Sequence, residues 1–257
     1  MARRRKTHQS RSGAAAGDAA VGAAVSERAA GWTTLLVGLA VTGYLFVANQ
    51  RYMAFEQYYL LNIALLLWAP LVVILVFLRR PPDDFALTTG DLRSGSLVAL
   101  VLFVLFLPVI FVTAPTPPFQ HYYVNALLRA PQGSGAISAF GRLDVGRLIF
   151  HETVFGFYMF AWEWYFRGFL LYGLKRLMPT VAAVLLQACA FALLHYNKPL
   201  IEVVSSFFGA ILLASVALRY RSFLPCFFLH WAISAAFDGA VLYHFLHAGA
   251  APGGFRP

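Results

Sequence analysis

The chain has 257 residues, of which 60% are hydrophobic and only 12% are charged. A soluble domain would carry about a quarter charged residues, so the composition excludes an ordinary soluble protein. The formal net charge of +9 is divided among short clusters between apolar segments, which argues against a nucleic-acid partner.

Seven apolar segments predict membrane-spanning helices, because about 17–25 residues of helix are needed to cross a bilayer. They are Trp32–Ala48, Tyr58–Leu78, Ser96–Ala114, Leu148–Leu174, Thr180–Leu194, Leu200–Leu218 and Phe223–Phe245. The last four are joined by very short connections, so we expect them to pack as one bundle. The sequence therefore predicts an all-α fold, a polytopic membrane bundle of about seven transmembrane helices.

Basic residues predict the orientation of this bundle. They are concentrated at the N-terminus and in alternate connections, namely Arg3, Arg4, Arg5, Lys6, Arg11, Arg28, Arg79, Arg80, Lys175, Arg176, Arg219 and Arg221. Positively charged connections stay in the cytoplasm, which places the N-terminus there in a multi-pass protein of the plasma (inner) membrane. The bias is incomplete, since other arginines fall on the predicted outer side: Arg51, Arg129, Arg142 and Arg147.

The chain divides into five sections. Residues 1–30, rich in Arg and then in Ala, Gly and Ser, predict a disordered basic cytoplasmic tail. Residues 31–114 hold three spans almost free of ionisable side chains, and residues 115–144 form an aromatic, proline-rich extracytoplasmic loop. Residues 145–247 form the membrane domain that carries the polar residues, followed by a C-terminal tail, 248–257. Cys189 and Cys226 lie within spans and predict neither a disulfide nor a metal site.

Ionisable residues in the last four spans require an explanation, because a charge near the bilayer centre costs at least about 2.5–3.5 kcal/mol. Residues four apart share one face of a helix, and lipid-facing charge is unfavourable. We therefore expect three polar stripes to converge on one buried cavity. They are Glu163 and Arg167 on the fourth span, His195 on the fifth, and His230, Ser234 and Asp238 on the last.

Two histidines and a carboxylate suit two kinds of chemistry. Glu163, His195 and His230 are enough to bind Zn²⁺ with one position left for water. The same groups are suited to activating a water as general bases without a metal. No cofactor is therefore required, and zinc is an alternative.

Each polar residue also has a structural explanation when it is taken alone. These explanations are an ion pair for Glu163 and Arg167, a helix-end cap for His195, a core hydrogen bond for His230, a helix-dipole contact for Glu202, and interfacial roles for His151 and Glu152. The joint pattern is harder to explain in this way than any one residue.

The order of three motifs resembles that of a known family. EWYFRG at Glu163–Gly168, FALLH at Phe191–His195 and HWAIS beginning at His230 occur on successive spans. Over roughly residues 145–245 this resembles the CPBP family of CAAX-protease and bacteriocin-processing proteins, also called the ABI or CAAX prenyl protease 2-like family. Its pattern is E-E-x-x-x-R, then F-x-x-x-H, then H-x-x-x-N or H-x-x-x-D.

The resemblance implies an intramembrane endopeptidase that hydrolyses a peptide bond in a membrane-associated substrate with water activated by glutamate and histidine. Its implied partners are a peptide or lipidated protein and membrane lipid, not nucleic acid. By position it implies catalytic roles for Glu163, the second motif glutamate, and for Arg167, the motif arginine. It also implies that His195 activates the water and that His230 lies on the oxyanion side. The supporting residues are Glu202, Ser234 and Asp238.

Two positions depart from the family pattern. The first motif glutamate, usually the catalytic one, is Trp162 here, and an indole cannot accept a proton from water. The residue expected to be Asn or Asp after the second histidine is Ser234. Three outcomes follow: Glu163 takes over as base, Glu152 or Glu202 substitutes, or the protein no longer cleaves.

The leading hypothesis is therefore a membrane-embedded peptidase that acts near the cytoplasmic leaflet. One alternative is a non-catalytic relative that uses the polar cavity to bind or scaffold a membrane partner. Another is a small ion- or proton-coupled transporter with Glu163, Arg167 and Glu202 as a relay.

The predicted depths of the polar residues do not agree. Helix rise places Glu163 about 18 Å from Lys175 but His195 about 26 Å from Met178. A tilted or broken fifth span would remove this mismatch, and Pro199 favours a break there.

Overall fold

Helices make up 80% of the structure. A computed structural model describes residues 5–248 except 129, 131, 132 and 139, with side chains from residue 27 onwards except those of residues 126, 127 and 248. No strand occurs in this part of the chain, where β-structure is limited to one isolated bridge between Ile137 and Leu143. The predicted all-α fold is confirmed. The predicted C-terminal tail lies outside the described residues from 249 onwards.

Eight helices follow one another in the described residues. They are α1 (Arg5–Ala48), α2 (Phe55–Leu78), α3 (Leu92–Thr113), α4 (Pro117–His121, continued as a π-helix over Tyr122–Leu128), α5 (Val145–Glu163, continued over Trp164–Leu170 and Leu171–Leu174), α6 (Thr180–Leu193), α7 (Leu200–Tyr220) and α8 (Leu224–Ala248). A 3₁₀ turn, Pro82–Phe85, lies in the connection between α2 and α3.

Five of these helices are long and apolar enough to cross a membrane, over Glu27–Ala48, Phe55–Leu78, Leu92–Thr113, Leu200–Tyr220 and Leu224–His247. Helix α6 is apolar but has only 14 residues, and α5 carries most of the buried charge. The protein is a multi-pass membrane protein, as predicted. The count of seven spans stays a prediction.

Local sequence explains where several helices begin. Asp91 accepts a hydrogen bond from the backbone N–H of Ser94 at 3.2 Å, and Asp144 accepts one from Arg147 at 3.0 Å. Both contacts are helix N-caps, and the hydrogen bonds from Ser94 lower the pKa of the Asp91 carboxyl. Pro199 directly precedes α7, where its fixed φ angle suits the first turn.

Helix α1 begins earlier than the sequence predicts. It extends back to Arg5, whereas residues 1–30 were expected to be disordered. The difference has a simple origin, since this segment is rich in alanine, the residue with the highest helix propensity.

Helix α1 packs closely against α5. The hydroxyl oxygens of Tyr165 and Thr42 lie 3.0 Å apart, and Tyr165 also donates to the carbonyl of Gly38 at 3.0 Å. Gly173 approaches Thr34 so closely that a Cβ atom would overlap the threonine side chain. The first helix is therefore part of the same core as α5.

An ion-pair network joins three parts of the chain at the predicted cytoplasmic end. Glu27 of α1 pairs with Arg80 at 2.6 Å and with Arg176 after α5. Asp84, in the connection between α2 and α3, lies 3.1 Å from Arg80 and 3.5 Å from Arg176. Exposed ion pairs contribute little one by one, but this network fixes α1, the connection and α5 relative to each other.

Candidate active site

Glu163 and Arg167 form a fully buried ion pair on α5. The Arg167 Nε atom lies 3.2 Å from Glu163 Oε2, and neither side chain is exposed. Arg167 also donates to Gln187 Oε1 at 3.3 Å, and its guanidinium lies 4.3 Å from the ring centre of Phe191. Because a buried charge is stable only when it is paired, these contacts explain how α5 holds two charges in the membrane.

The second oxygen of Glu163 binds a histidine from another helix. Glu163 Oε1 lies 2.6 Å from Nδ1 of His230 on α8. A carboxylate that faces a guanidinium accepts a hydrogen bond, so Nδ1 of His230 carries the proton. The other ring nitrogen, Nε2, keeps a lone pair. His230 is the partly exposed member of the pair, with 16% of its side chain accessible, whereas Glu163 is completely enclosed.

His195 is oriented in the same way. Its Nδ1 lies 2.8 Å from the backbone carbonyl of Phe191, and a carbonyl can only accept, so the proton is again on Nδ1. The rings of His195 and His230 lie 6.4 Å apart and nearly parallel, at 17°. Two imidazoles with free Nε2 atoms therefore lie side by side.

The contact between His195 and Phe191 also removes most of the difference in predicted depth. Side chains on a helix lean towards its N-terminus. By bonding the carbonyl four residues earlier, the His195 ring lies about one turn, or ~5.4 Å, closer to the start of α6 than its position in the chain suggests.

Trp162 fills the place of the usual glutamate. Only 3% of it is exposed, and its ring meets that of His195 edge-on at 5.4 Å and that of Phe191 at 5.5 Å. Its indole nitrogen is buried and makes no hydrogen bond with the described residues. An indole offers only a donor, so this position cannot act as a base.

A cavity of about 580 Å³ lies above the two histidines. Its lining includes Trp162, His195, His230, Ser234 and Asp238, together with several tyrosines. The residues at its other end are exposed and come from the α1–α2, α3–α5 and α6–α7 connections: Gln50, Arg51, Tyr52, His121, Asn125 and Asn197. Glu163 does not line the cavity but lies behind His230.

The supporting residues separate in the structure. Glu202 binds Lys198 at 2.6 Å and the hydroxyl of Tyr123 at 3.2 Å, outside the histidine cluster. Burial raises the pKa of the Tyr123 phenol well above its ordinary value, as do the nearby carboxylates, so it stays a donor. Asp238 does not orient His230, because its hydrogen bond goes to His151 at 3.2 Å.

Comparison with family models assigns the central part of the chain. Residues 147–236 match the family described as Type II CAAX prenyl endopeptidase Rce1-like. This segment contains all three motifs. Over this segment the chain is similar to the CAAX prenyl endopeptidases, which agrees with the predicted family. A comparison with curated proteins gave no match, and neither did one with solved structures.

The match supports the predicted family and, at the level of that family, an intramembrane endopeptidase. The family acts on prenylated peptides or proteins. This chain departs from the family pattern at Trp162, where the structure has a packed indole instead of a carboxylate.

One polar residue beside the predicted site, Gln187, escaped the sequence analysis. Gln187 on α6 accepts from Arg167 and donates to the carbonyl of Ala210 at 3.2 Å, which links α5, α6 and α7. His151 and Glu152 were expected near the outer interface, with Glu152 also named as a substitute base, and the structure brings both to Asp238.

Zinc does not fit the predicted set of Glu163, His195 and His230 well. Both carboxylate oxygens of Glu163 are engaged, one by His230 and the other by the Arg167 guanidinium. A cation placed there would be repelled by Arg167, and it would displace the proton that holds His230. No step of the reaction is therefore assigned to a metal at these residues.

Proposed function

We propose that this protein is an intramembrane peptidase in which His230, held by Glu163, replaces the missing glutamate as the general base. The observation that carries the proposal is the 2.6 Å contact between His230 Nδ1 and Glu163 Oε1, with His230 at the cavity wall. A base oriented by a third group through its other nitrogen is the arrangement that activates nucleophiles in many hydrolases.

The reaction follows from the two free Nε2 atoms. A water in the cavity gives one proton to Nε2 of His230, and its oxygen attacks the scissile carbonyl. Glu163 stabilises the imidazolium that forms, while the lone pair of His195 Nε2 accepts the other hydrogen of the water and orients it. The hydroxyl of Ser234 donates to the oxyanion. His230 then returns the proton to the leaving amine, which yields a carboxylic acid and an amine.

The substrate class follows from the family and the cavity. Members act on prenylated peptides or proteins, and we propose a lipidated peptide as the substrate here. A cavity of about 580 Å³ lies in the range of sites for small ligands. It accommodates a short peptide segment and leaves the lipid chain outside, among the membrane-facing helices.

The cavity mouth and the distribution of basic residues together favour a side of the membrane other than the one predicted. Its exposed residues lie in the α1–α2 and α6–α7 connections, which the distribution of basic residues places outside the cytoplasm. We therefore propose that substrate enters from the extracytoplasmic side, not near the cytoplasmic leaflet.

Replacement of either cavity histidine is expected to lower peptide cleavage by about 10²–10⁴-fold, the usual contribution of a general base. The variants are His230→Gln and His195→Gln, assayed in nanodiscs with a prenylated CAAX peptide and with the same peptide without the prenyl group. His247→Gln is a matched control, because its Nδ1 bonds the carbonyl of Tyr243 four residues earlier but lies away from the cavity. Unchanged cleavage by both cavity variants would contradict the proposal.

Cysteine labelling is expected to place the cavity mouth outside the cytoplasm. In a chain with Cys189→Ala and Cys226→Ala, a cysteine introduced as Gln50→Cys should react with a membrane-impermeant maleimide in intact right-side-out cells. A cysteine introduced as Thr89→Cys, also exposed but in the connection between α2 and α3, should react only after the membrane is opened. The reverse pattern would place the mouth in the cytoplasm.

One observation favours a second function. Trp162 is packed among aromatic rings where the family keeps its catalytic carboxylate, so the protein as it stands has lost one catalytic group. The alternative is a non-catalytic family member that binds a lipidated peptide in the same cavity. Cleavage of the prenylated peptide by the unmodified protein would indicate the peptidase, and binding without cleavage would indicate the non-catalytic family member.

A further inference from the structure

A second cluster of polar residues lies towards the outer end of the cavity. It consists of His151 and Glu152 on α5 and Asp238 on α8, whose nearest ligand atoms all lie within 4.8 Å of one another. Asp238 is two helical turns beyond His230, about 12 Å along the helix axis. The cluster is therefore separate from the two histidines of the proposed reaction.

Burial makes the charge of this cluster difficult to explain with protein atoms alone. His151 is completely buried and Asp238 is 2% exposed. Among the described residues, two nearby cations form their ion pairs with other carboxylates, since Arg167 pairs with Glu163 and Lys198 with Glu202. Two carboxylates then share one imidazole in a low-dielectric region, and such an arrangement needs a cation or a proton between them.

Unsatisfied atoms point to the missing partner. Oδ1 of Asp238 and Oε2 of Glu152 are both buried and have no hydrogen-bond partner within the described part of the chain. A buried polar atom normally has a partner. Here each carboxylate of the cluster has an oxygen that lacks one, which indicates that a ligand absent from the polypeptide binds between them.

The geometry fits a metal ion. Nε2 of His151 and Oδ2 of Asp238 lie 3.2 Å apart, close to the ~3.4 Å that separates two ligands of a tetrahedral zinc with bonds of about 2.0–2.1 Å. One imidazole and two carboxylates suit a divalent transition metal. Two carboxylates also neutralise its charge, so the bound cluster is neutral within the membrane.

We propose that His151, Glu152 and Asp238 bind a divalent transition-metal ion such as Zn²⁺ at the outer end of the cavity. Asp238 lines the cavity, so the fourth coordination position faces it. An open position on a metal binds an oxygen of a ligand. The site therefore anchors a carboxylate or carbonyl oxygen of the cavity's occupant, and it does so whether or not the protein is a peptidase.

Metal content provides the test. Full-length protein in nanodiscs is stripped with chelator, dialysed against Zn²⁺ and measured by mass spectrometry, and about one Zn²⁺ per chain is expected. His151→Gln, Glu152→Gln and Asp238→Asn should each weaken binding at least about tenfold. Glu202→Gln is the matched control, since it removes a partly buried carboxylate that is already paired with Lys198, and His230→Gln tests the other histidine site. Both should keep the metal.

Co²⁺ gives a second measurement that does not depend on the variants. Co²⁺ added to the unmodified protein should produce the visible absorption of a four-coordinate site, and Zn²⁺ should displace it. This spectrum shows whether the protein binds a metal even if a variant is misfolded and does not elute as a single species in size-exclusion chromatography. Absence of metal from the unmodified protein, or metal that is lost only in His230→Gln, would overturn the proposal. If the unmodified protein binds no metal, a proton shared between Glu152 and Asp238 explains how the two carboxylates are buried together.

Discussion

Replacing Trp162 by glutamate is expected to raise peptide cleavage by about 10²–10⁴-fold. The indole lies edge-on against His195, with ring centres 5.4 Å apart, so a carboxylate in its place lies beside the proposed water. General bases contribute rate factors of this size. The measurement is the initial rate of cleavage of the prenylated peptide, normalised to the amount of correctly folded protein, because a smaller side chain also leaves a cavity.

Trp162→Gln is the control for this change. Glutamine has almost the shape of glutamate but no basic oxygen, so its rate should stay at the level of the unmodified protein. Cleavage that appears only in Trp162→Glu would mean that the natural protein is the non-catalytic family member. An equal rate for Trp162→Glu, Trp162→Gln and the unmodified protein would mean that this position is not next to the reacting water.

Replacing Arg167 by methionine is expected to be the most destabilising of the substitutions considered. It leaves the carboxylate of Glu163 fully buried with His230 as its remaining partner. Loss of one member of a buried ion pair costs about 3–5 kcal/mol, which corresponds to a fall in melting temperature of about 6–20 °C for a chain of this size. Thermal unfolding in detergent, followed by tryptophan fluorescence, measures it.

Two further variants show whether the ion pair is the cause. The double substitution Glu163→Gln with Arg167→Met removes both charges and should recover most of the lost stability. Arg219→Met, at an exposed position near the end of α7, should change stability by no more than about 0.5 kcal/mol. A loss below 1 kcal/mol in the single Arg167 variant would show that the pair is not important for folding.

The helices could be predicted from the sequence because each is encoded by one continuous segment. The sixth span, predicted as Leu200–Leu218, is Leu200–Tyr220 in the structure. The shared face of Glu163 and Arg167 could also be predicted, since it depends only on the period of one helix. The family followed from the order of short motifs.

Contacts between helices could not be predicted in the same way. Asp238 lies on the same stripe as His230, yet its partner is His151 from α5, whereas His230 is held by Glu163. Which carboxylate meets which histidine depends on the rotation and relative height of α5 and α8. Neither quantity is encoded in a local spacing. The π-helical turn at Trp164–Leu170, which widens the helix at Arg167, also has no clear sequence signal.

The contacts between α1 and α5 show that the segment matched by the family model does not contain all of its own packing partners. The family match begins at residue 147, so α1 lies outside it. Nevertheless α1 supplies Thr42 and the Gly38 carbonyl to Tyr165, the second residue of the π-helical turn, and Glu27 to Arg176. A segment that began at residue 147 would leave the Tyr165 hydroxyl and the Arg176 guanidinium without these partners. A chimaera with a related protein would therefore have to exchange α1 together with α5, although the two helices lie far apart in the sequence.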